Sequence, residues 1–317
     1  MAMISPRAAF ATKAPVVVAV VISFNPNREH FEELIDATAA QTTGVVIVDN
    51  GSAGGCPEWL QTIASRQGIT YEPLASNVGV AAAQNRGIEL ARQRGADYVL
   101  LMDHDSLPQE GMVKRLLEAD LTLRASGVKL GAVGPCIVDR RSQRCGNFVR
   151  MNGARVQRIN GANAAKVVEC DFLIASGSLV RVDVFYNVGG MNNGYFVDHV
   201  DTEWCFRVRS AGYRIFGIPK ARLLHSLGDD VVRVWLGRWR EVAIHSPVRD
   251  YYMCRNTILM LQAAPMDGAW RWAHVSRLAQ FVLFFGLGVA PRWRRLKLMA
   301  TGLRHGLQGK DGPLTGA

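Results

Sequence analysis

The sequence predicts an α/β protein built on a mostly parallel central sheet with helices on both faces. Up to about residue 135, short apolar runs alternate with amphipathic segments of helical length, which is the pattern of repeated strand–helix units. The runs are apolar throughout rather than alternating with polar residues, as expected for parallel strands that are buried on both faces.

The strands of this first half are predicted from β-branched or continuous apolar runs, and the helices from the spacing of their apolar residues. In chain order they are a strand at Val16–Ile22, a helix at Glu29–Ala40, a strand at Val45–Val48, a helix at Glu58–Arg66, an extended segment at Ile69–Leu74, an Ala-rich amphipathic helix at Val80–Arg94 and a strand at Tyr98–Met102. Residues 1–14 are predicted to be a flexible tail. No small-residue cleavage site follows the first apolar run, which disfavours a secretory leader.

After about Gly131 the pattern is less regular. We predict strands at Ala132–Val138 and Val167–Leu173, a hairpin between Cys145 and Ile159, a helix at Val200–Ala211 and an extended segment at Tyr213–Ile218. Beyond Asp230 the chain is predicted to be helical and basic, with one helix at His245–Leu261.

The composition excludes several classes of protein. The chain has 317 residues, 49% hydrophobic and 20% charged, so it can bury a large core and is not disordered. Its six cysteines lack C-x-x-C spacing, which argues against a zinc ribbon or a disulfide framework and fits reduced thiols. The first strand is followed by Ser23-Phe24-Asn25-Pro26 and not by a G-x-G-x-x-G turn, which disfavours a dinucleotide-dependent dehydrogenase.

The net charge of +10 is concentrated in the C-terminal part. Residues 231–310 contain 13 Lys and Arg against three acidic residues, and they hold five of the seven tryptophans. Their most apolar run, Leu278–Ala290, is shorter than the roughly 20 residues that span a bilayer. Tryptophan, arginine and a short apolar run are typical of a helix lying in a membrane interface. The alternative is a helix pair that closes the fold or forms a homodimer.

Three predicted strands end in polar clusters, at Ser23–Pro26, Asp49–Asn50 and Asp103–Asp105. The carboxyl ends of parallel strands form the ligand-binding edge of such a sheet. In an extended chain Asp103 and Asp105 point to the same side, where a divalent cation would offset their repulsion. An isolated D-x-D is more often a helix cap, but three clusters on one edge favour a site.

These clusters belong to a series of motifs that resembles a known family. "VVISFNPN", "VIVDNGS", "NVGVAAAQNRGI", "LLMDHDS", "GYFVDHVDTEWCFRVRSAGY" and "LLHSLGD" occur in the order found in family 2 glycosyltransferases with the GT-A fold. The sequence is most similar to bacterial rhamnosyltransferases that use dTDP-L-rhamnose, in which D-Q-D-S is usual; here His104 takes the middle position. The resemblance covers about residues 15–260.

The resemblance implies a GT-A, Rossmann-like domain with a helical basic C-terminal extension. Residues 15–230 would form the catalytic domain, divided into a nucleotide-binding half (15–130) and an acceptor and catalytic half (131–230). Residues 231–317 would form a helical basic region that associates with membrane or with a second subunit.

The same resemblance implies residues that bind the nucleotide sugar. Asp49 would hydrogen-bond the pyrimidine base, and Gly79 would allow close approach of the backbone. The full set comprises Ser23, Asn25, Asp49, Asn77, Gly79, Asn85, Asp103 and His104, with Arg86 in the same segment. The alternative for residues 77–86 is a surface helix capped by Asn77, and both roles can hold together.

The metal ligands implied by the family are Asp103, Asp105 and His225, with Mn²⁺ or Mg²⁺ as the ion. Carboxylate oxygens suit either ion, and imidazole suits Mn²⁺. A lone histidine after two leucines is more often a core or turn residue, but its family-like position after the acidic helix and the affinity of imidazole for Mn²⁺ favour His225 as a ligand.

The catalytic base is expected within "VDHVDTEW". Asp201 matches the family position of the base, with Asp198 as second candidate, although Val200 stands where many relatives have Glu. The alternative is a helix whose acidic first turn is favoured by the helix dipole. Side chains proposed to contact the diphosphate or the acceptor are Glu203, Trp204, Arg249, Tyr252 and Arg255. For the last three, the alternative is a helix packed on the sheet with solvated charges.

The sequence therefore predicts an inverting, metal-dependent glycosyltransferase that moves L-rhamnose from dTDP-L-rhamnose to a lipid-linked or polysaccharide acceptor in cell-surface glycan synthesis. It would act as a peripheral protein on the cytoplasmic face of the bacterial inner membrane. The alternatives are the same fold using another donor, such as a UDP-hexose, and a non-catalytic membrane- or nucleic-acid-binding protein. Nucleic acid is not expected as a partner, because no recognised binding motif accompanies the basic end.

Overall fold

Four parallel strands form the first half of the central sheet. In the computed structural model, which describes residues 14–66, 68–225, 230–235 and 239–314, they are β1 (Val17–Ser23), β2 (Gly44–Asp49), β3 (Ile69–Pro73) and β4 (Tyr98–Asp103). They pair in the order β3–β2–β1–β4. All four predicted strands are confirmed to within two residues at each end. The predicted tail lies almost entirely outside the described residues.

Helices cover both faces of this half, namely α1 (Arg28–Ala39), α2 (Cys56–Ala64), α3 (Val80–Gln93) and α4 (Met112–Ala125). Alternate residues of β1 therefore lie in two different cores. Val17 and Val21 pack with apolar residues of α1, α2 and α4, whereas Val18 and Val20 pack with residues of α3. Burial on both faces explains why β1 is apolar throughout.

The second half of the sheet is mixed. Its elements are β5 (Ser106–Pro108), β6 (Leu130–Asp139), β7 (Asn147–Asn152), β8 (Arg155–Asn160), β9 (Val168–Cys170), β10 (Leu179–Arg181), α5 (Val182–Val188), a 3-10 turn at Asn193–Tyr195, α6 (Val200–Ser210) and β11 (Arg214–His225). β6 and β11 are parallel to each other, and the short strand β10 joins β4 to β6 in antiparallel orientation. The predicted hairpin is confirmed as β7–β8. Since β5 is antiparallel to β11, the end of β11 lies next to the D-x-D segment.

The C-terminal part contains α7 (Pro247–Ala263), α8 (Gly268–Gly288) and α9 (Arg292–Leu307). The predicted helical character is wrong for the stretch before them, because β12 (Asp230–Trp235) and β13 (Trp239–Ile244) form an antiparallel hairpin. The β-branched residues and period-two alternation of this stretch favour strands. The high basic charge of the region does not distinguish a strand from a helix. Within the described ranges, no helix has the length and apolar character of a membrane span.

Candidate active site

The predicted strand-end clusters meet at one edge of the sheet. β1, β2 and β4 are parallel neighbours, with Ser23 opposite Asp49 and Ile22 opposite Asp103 in the register. The side chains that follow these strands therefore project from the same rim, as expected for a site at the carboxyl ends of parallel strands.

The three residues predicted as metal ligands converge at this rim. Asp103, Asp105 and His225 each offer a ligand atom, and these atoms lie within 4.8 Å of one another. The antiparallel pairing of β5 with β11 places His225 opposite Ser106, and His225 Nδ1 is 3.4 Å from Asp105 Oδ1. The sheet thus brings residues 120 positions apart in the chain into one cluster. We call Asp103, Asp105 and His225 the metal group.

A chain of hydroxyl groups supports this group. Ser106 Oγ lies 2.9 Å from His225 Nδ1 and 2.5 Å from Ser176 Oγ, while the Asp103 backbone N–H donates to Ser176 Oγ at 3.2 Å. Both serines are buried. Hydrogen bonds of this kind fix the orientation of an imidazole ligand. Ser106 and Ser176 were not among the predicted site residues: Ser106 lies inside the motif "LLMDHDS", whereas Ser176 lies outside every quoted motif.

The charges of the group fit a divalent cation. Burial and the nearby Asp105 carboxylate raise the pKa of Asp103 to about 7. Two carboxylates and an imidazole are a donor set that Mn²⁺ or Mg²⁺ accepts, and a bound cation relieves the repulsion between the two acids. The residues present therefore fit the metal that the family implies.

Asp49 lies at the centre of the predicted base pocket. Its buried carboxylate accepts hydrogen bonds from Ser23 Oγ (3.3 Å), Ser52 Oγ (2.5 Å) and the Tyr71 hydroxyl (3.3 Å). Burial and Asp49 together raise the pKa of Tyr71 to about 12, so Tyr71 keeps its proton and can donate it. Asn25 joins the same cluster, because its backbone N–H donates to Ser52 Oγ at 2.8 Å.

The loop before α3 is held against this cluster by Asn50. Its side chain donates to Asn77 Oδ1 (3.1 Å) and accepts from the Val78 backbone N–H (2.9 Å). Gly79 then adopts φ +88°, and a Cβ there would lie 2.6 Å from the ring of Phe196. Glycine is required at this position by conformation and by space. Asn50 belongs to a predicted strand-end cluster but was not among the residues predicted to bind the nucleotide sugar.

Two other predicted nucleotide residues make contacts within the protein. Asn85 Nδ2 donates to the Met191 carbonyl oxygen (2.8 Å), and its Oδ1 accepts from the Met191 N–H (2.7 Å), so Asn85 ties α3 to residues 190–193. Arg86 pairs with Glu72 at 2.7 Å. His104 is partly exposed and lies in the chain between Asp103 and Asp105.

The two candidate bases have different surroundings. Asp201, on the first turn of α6, accepts hydrogen bonds from the Thr202 backbone N–H (2.7 Å) and the Ala175 backbone N–H (3.3 Å), and burial raises its pKa. Asp198 forms an ion pair with Arg249, whose Nε lies 3.2 Å from Oδ2. The Ala175 contact places Asp201 next to Ser176, and hence next to the metal group.

The residues predicted to contact diphosphate or acceptor are mostly engaged elsewhere. Glu203 is buried and pairs with Arg207 at 2.7 Å, and Trp204 is buried and donates to the Gly189 carbonyl oxygen at 3.0 Å. Tyr252 and Arg255 are also buried. Of the five, Arg249 is the one whose guanidinium lies at a candidate catalytic residue, through its pair with Asp198.

A cavity of about 90 Å³ lies against the segment that links the metal group to Asp201. Its wall is mainly apolar and extends to Ser176; the apolar side chains are Pro135, Ile137, Phe148, Val149, Phe172, Leu173 and Ile174. The cavity reaches the metal group only through Ser176, which contacts Asp103; neither the predicted metal ligands nor Asp201 line it.

Comparison with known proteins identifies the family of the chain. The family described as glycosyl transferase family 2 matches residues 18–189. The chain is 31% identical over 250 residues to the dTDP-rhamnosyl transferase RfbF of Shigella flexneri, covering 78% of this chain and 80% of that protein. It is 25% identical over 239 residues to the N-acetylglucosaminyl-diphospho-decaprenol L-rhamnosyltransferase of Mycobacterium tuberculosis, covering 66% and 75%.

Among solved structures, the mannosyltransferase PcManGT of Pyrobaculum calidifontis, in complex with GDP-Man and Mn²⁺, superposes with a TM-score of 0.54 at 17% identity, covering 95% of this chain and 77% of that chain. The GT-A fold prediction is thereby confirmed. The fold and the matches define a glycosyltransferase rather than a non-catalytic binding protein. The chain belongs to glycosyl transferase family 2.

Proposed function

We propose that this glycosyltransferase is inverting and metal-dependent, and that it transfers L-rhamnose from dTDP-L-rhamnose to a lipid-linked or polysaccharide acceptor in cell-surface glycan synthesis. The observation that carries the proposal is the convergence of Asp103, Asp105 and His225 beside Asp201. The two relatives whose names contain rhamnosyl transfer support the choice of sugar.

The nucleotide would bind along the rim of β1, β2 and the start of α3. Asp49 would accept a hydrogen bond from the N–H of the pyrimidine, which would replace the bond from one of its present donors, the Ser52 or the Tyr71 hydroxyl. Gly79 adds no side chain of its own to the turn before α3, where the ring of Phe196 packs against it, and this turn would lie next to the ribose. Asp103 would lie between the ribose and the metal.

When a divalent cation is bound by Asp103, Asp105 and His225, it supplies positive charge to the departing diphosphate. The neighbouring protein residues hold and orient the metal group. Ser106 positions the His225 imidazole through Nδ1, and Ser176 links the Asp103 backbone to Ser106. Asp198 and Arg249 form an ion pair, and in this proposal Arg249 would contact the diphosphate or the acceptor.

The step itself would be a single displacement. Asp201 takes the proton from the acceptor hydroxyl, whose oxygen bonds to the anomeric carbon as the bond to the diphosphate breaks on the opposite face, so the configuration inverts. A base with a raised pKa accepts this proton more readily than an ordinary aspartate does. The apolar cavity beside Ser176 suits the methyl group of a 6-deoxyhexose such as rhamnose.

The acceptor and the location are proposed from the surface of the C-terminal helices. Trp272 and Trp293 are 72% and 86% exposed, and residues 268–310 contain eight Lys and Arg but no Asp or Glu. Such a surface fits an anionic bilayer, which places the enzyme as a peripheral protein where a lipid-linked acceptor is available. A homodimer through the same helices remains the alternative occupant of this surface.

A donor panel tests the proposal. The purified protein with Mn²⁺ is incubated with dTDP-L-rhamnose, UDP-glucose, UDP-GlcNAc and GDP-mannose, and release of the nucleoside diphosphate is measured. We expect release from the dTDP-sugar alone, and its loss with EDTA or in Asp105→Asn. Release from a UDP-hexose instead would establish the alternative donor, and undiminished release in EDTA would contradict metal dependence.

A further inference from the structure

The segment that carries the candidate bases has an unusual backbone. Residues 194–199 comprise the end of the 3-10 turn and its connection to α6, and Phe196, Asp198 and His199 have φ values of +63°, +61° and +62°. Residues with a Cβ adopt this region rarely, because their side chain approaches the backbone. Three such residues within four positions persist only if the surrounding structure holds them.

Asn256 of α7 makes the central contacts with this segment. Its side chain is fully buried, and Nδ2 lies at hydrogen-bonding distance from the carbonyl oxygens of Tyr195 (2.8 Å), Val197 (2.6 Å) and Asp198 (3.0 Å). An amide nitrogen supplies two N–H donors to carbonyls that converge on one point. A carboxylate of the same size would offer only acceptors there.

Arg255 supports the same segment from the adjacent position. It is also fully buried, its Nη2 donates to the carbonyl oxygens of Gly194 (3.0 Å) and Tyr195 (3.1 Å), and its Nε donates to Asn256 Oδ1 (2.9 Å). The last bond fixes which end of the Asn256 amide faces the segment. The guanidinium also stacks over the ring of Tyr252 at 4.9 Å. These contacts explain why Arg255 does not fit the diphosphate role expected from its charge.

The end of the chain completes this contact network. Gly312 donates its N–H to the Gly194 carbonyl oxygen at 2.7 Å, and its own carbonyl oxygen accepts from Arg255 Nη1. Leu314 donates its backbone N–H to the Tyr252 hydroxyl at 2.8 Å, and Tyr252 stacks on Phe196 with ring centroids 5.1 Å apart. Residues 312 and 314 therefore contact both the 194–199 segment, at Gly194, and the α7 residues that hold it, Tyr252 and Arg255.

Residues 194–199 connect the candidate nucleotide pocket to the candidate base Asp201. The Phe196 carbonyl oxygen accepts from the Val80 N–H at 2.7 Å, at the start of α3 in the nucleotide pocket. Two residues further on, Asp198 pairs with Arg249, and α6 then begins and carries Asp201. A shift of the segment would move the base relative to the nucleotide.

We propose that Arg255 and Asn256 are positioning residues which, together with the chain end 311–314, hold residues 194–199 in the conformation that places Asp201 for proton transfer. The proposal rests on the proposed function in assigning the base role to Asp201. It predicts that a C-terminal segment distant from the metal group in sequence controls kcat, although it contacts neither donor nor acceptor.

Two variants test the proposal: Asn256→Leu, which removes the amide donors at similar volume, and deletion of residues 311–317, which leaves every helix intact. We expect kcat to fall at least about tenfold in each, since small misplacement of a catalytic group has effects of this size. The Kd of Mn²⁺-dTDP should change less than threefold. Met260→Ala is the matched control; Met260 is fully buried one turn further along α7, so this variant should lose thermal stability but keep its kcat.

A second readout does not depend on turnover. Hydrogen exchange of the backbone amides of residues 194–199 should become at least tenfold faster in the deletion variant and stay at the parental rate in Met260→Ala. Because hydrogen exchange needs no donor, this measurement applies even if dTDP-L-rhamnose is not the donor. A failure of the proposed function can therefore be distinguished from a failure of the positioning role. If the deletion variant keeps both the parental kcat and the parental exchange rate, the proposal is wrong. This conclusion holds even if Asn256→Leu fails to fold, because it rests on the deletion variant alone.

Discussion

At the residue scale, the candidate base is distinguished by its neighbours rather than by its position in the motif. Both Asp198 and Asp201 lie within "VDHVDTEW" and both are acidic residues near the metal group. Asp198 has a guanidinium partner that occupies its carboxylate oxygens, whereas Asp201 receives backbone N–H groups and lies beside Ser176. Asp201 therefore keeps the character of a base that can take a proton.

Asp201→Asn removes the proton acceptor and preserves the size of the side chain. We expect kcat to fall by about 10²–10⁴-fold, because this is the usual contribution of general base catalysis, while Mn²⁺ and dTDP bind as in the parent. Steady-state rates and calorimetric titration measure the two properties. Asp183→Asn, a substitution of an exposed aspartate paired with Arg181, is the matched control and should keep parental rates. An Asp201→Asn variant within tenfold of the parental rate would assign the base elsewhere.

The raised pKa of Asp201 predicts the acid side of the pH profile. The carboxylate accepts a proton only when ionised, so kcat/KM should decline as the pH falls through this pKa. Burial raises the pKa above its ordinary value of 3.8, so the decline should begin at a higher pH than for a solvated aspartate. Rates measured from pH 4 to 9 at saturating Mn²⁺ check this. A profile that is flat down to pH 4 would contradict a raised pKa at the base.

At the element scale, α8 exposes several large apolar side chains to solvent. Trp272, Leu283 and Leu287 are between 60% and 72% exposed along this helix, and Trp293 follows at the start of α9 at 86%. No acidic residue interrupts residues 268–310. A surface with this much exposed apolar area usually has a partner, and its charge selects an anionic one.

Replacement of Trp272, Leu283 and Trp293 together by Ser should weaken binding to anionic vesicles by at least about tenfold. Each buried apolar side chain of this size contributes about 1.5–3 kcal/mol, and tenfold corresponds to about 1.4 kcal/mol. Vesicle co-sedimentation at two salt concentrations measures the effect. Tyr186→Ser, at a residue 65% exposed on α5, serves as the control. Equal vesicle binding combined with a change from dimer to monomer would instead identify the surface as a subunit interface.

At the scale of the whole molecule, α7 and α8 contribute residues to the core that packs on the central sheet. Trp270 of α8 is buried, and its ring N–H donates to Asp171 Oδ2 at 2.7 Å. Arg295 of α9 forms an ion pair at 2.6 Å with Asp250 of α7, and each side chain is only 3% exposed. The predicted boundary at residue 230 therefore does not separate two independently packed units, and point substitutions test the membrane surface better than deletion of the region does.

Breaking this buried pair should destabilise the whole protein. Arg295→Met leaves Asp250 buried without its cation, and we expect the free energy of unfolding to fall by about 3–5 kcal/mol. The double variant Arg295→Met/Asp250→Leu should recover most of this loss, because no buried charge remains. Urea unfolding followed by circular dichroism measures both variants. A double variant as unstable as Arg295→Met would show that the loss comes from packing and not from the uncompensated charge.

The sequence by itself determined the first half of the fold and the residue types of the site. A strand such as Val17–Ser23 is apolar throughout because both of its faces are covered, so that local pattern already reports the tertiary arrangement. The D-x-D motif and the strand-end clusters are also local, because period two in a strand sets which side chains share a face.

Tertiary structure alone decided the role of each charged residue. Arg249, Arg255 and Arg295 have the same side chain, yet one pairs with a candidate base, one holds carbonyl oxygens of the 194–199 segment and one lies in a buried ion pair. The hairpin at 230–244 likewise depends on pairing between two strands, which composition does not report. The physical reason is that the role of a charge is set by the partners that folding brings to it from distant positions, and no local pattern encodes them.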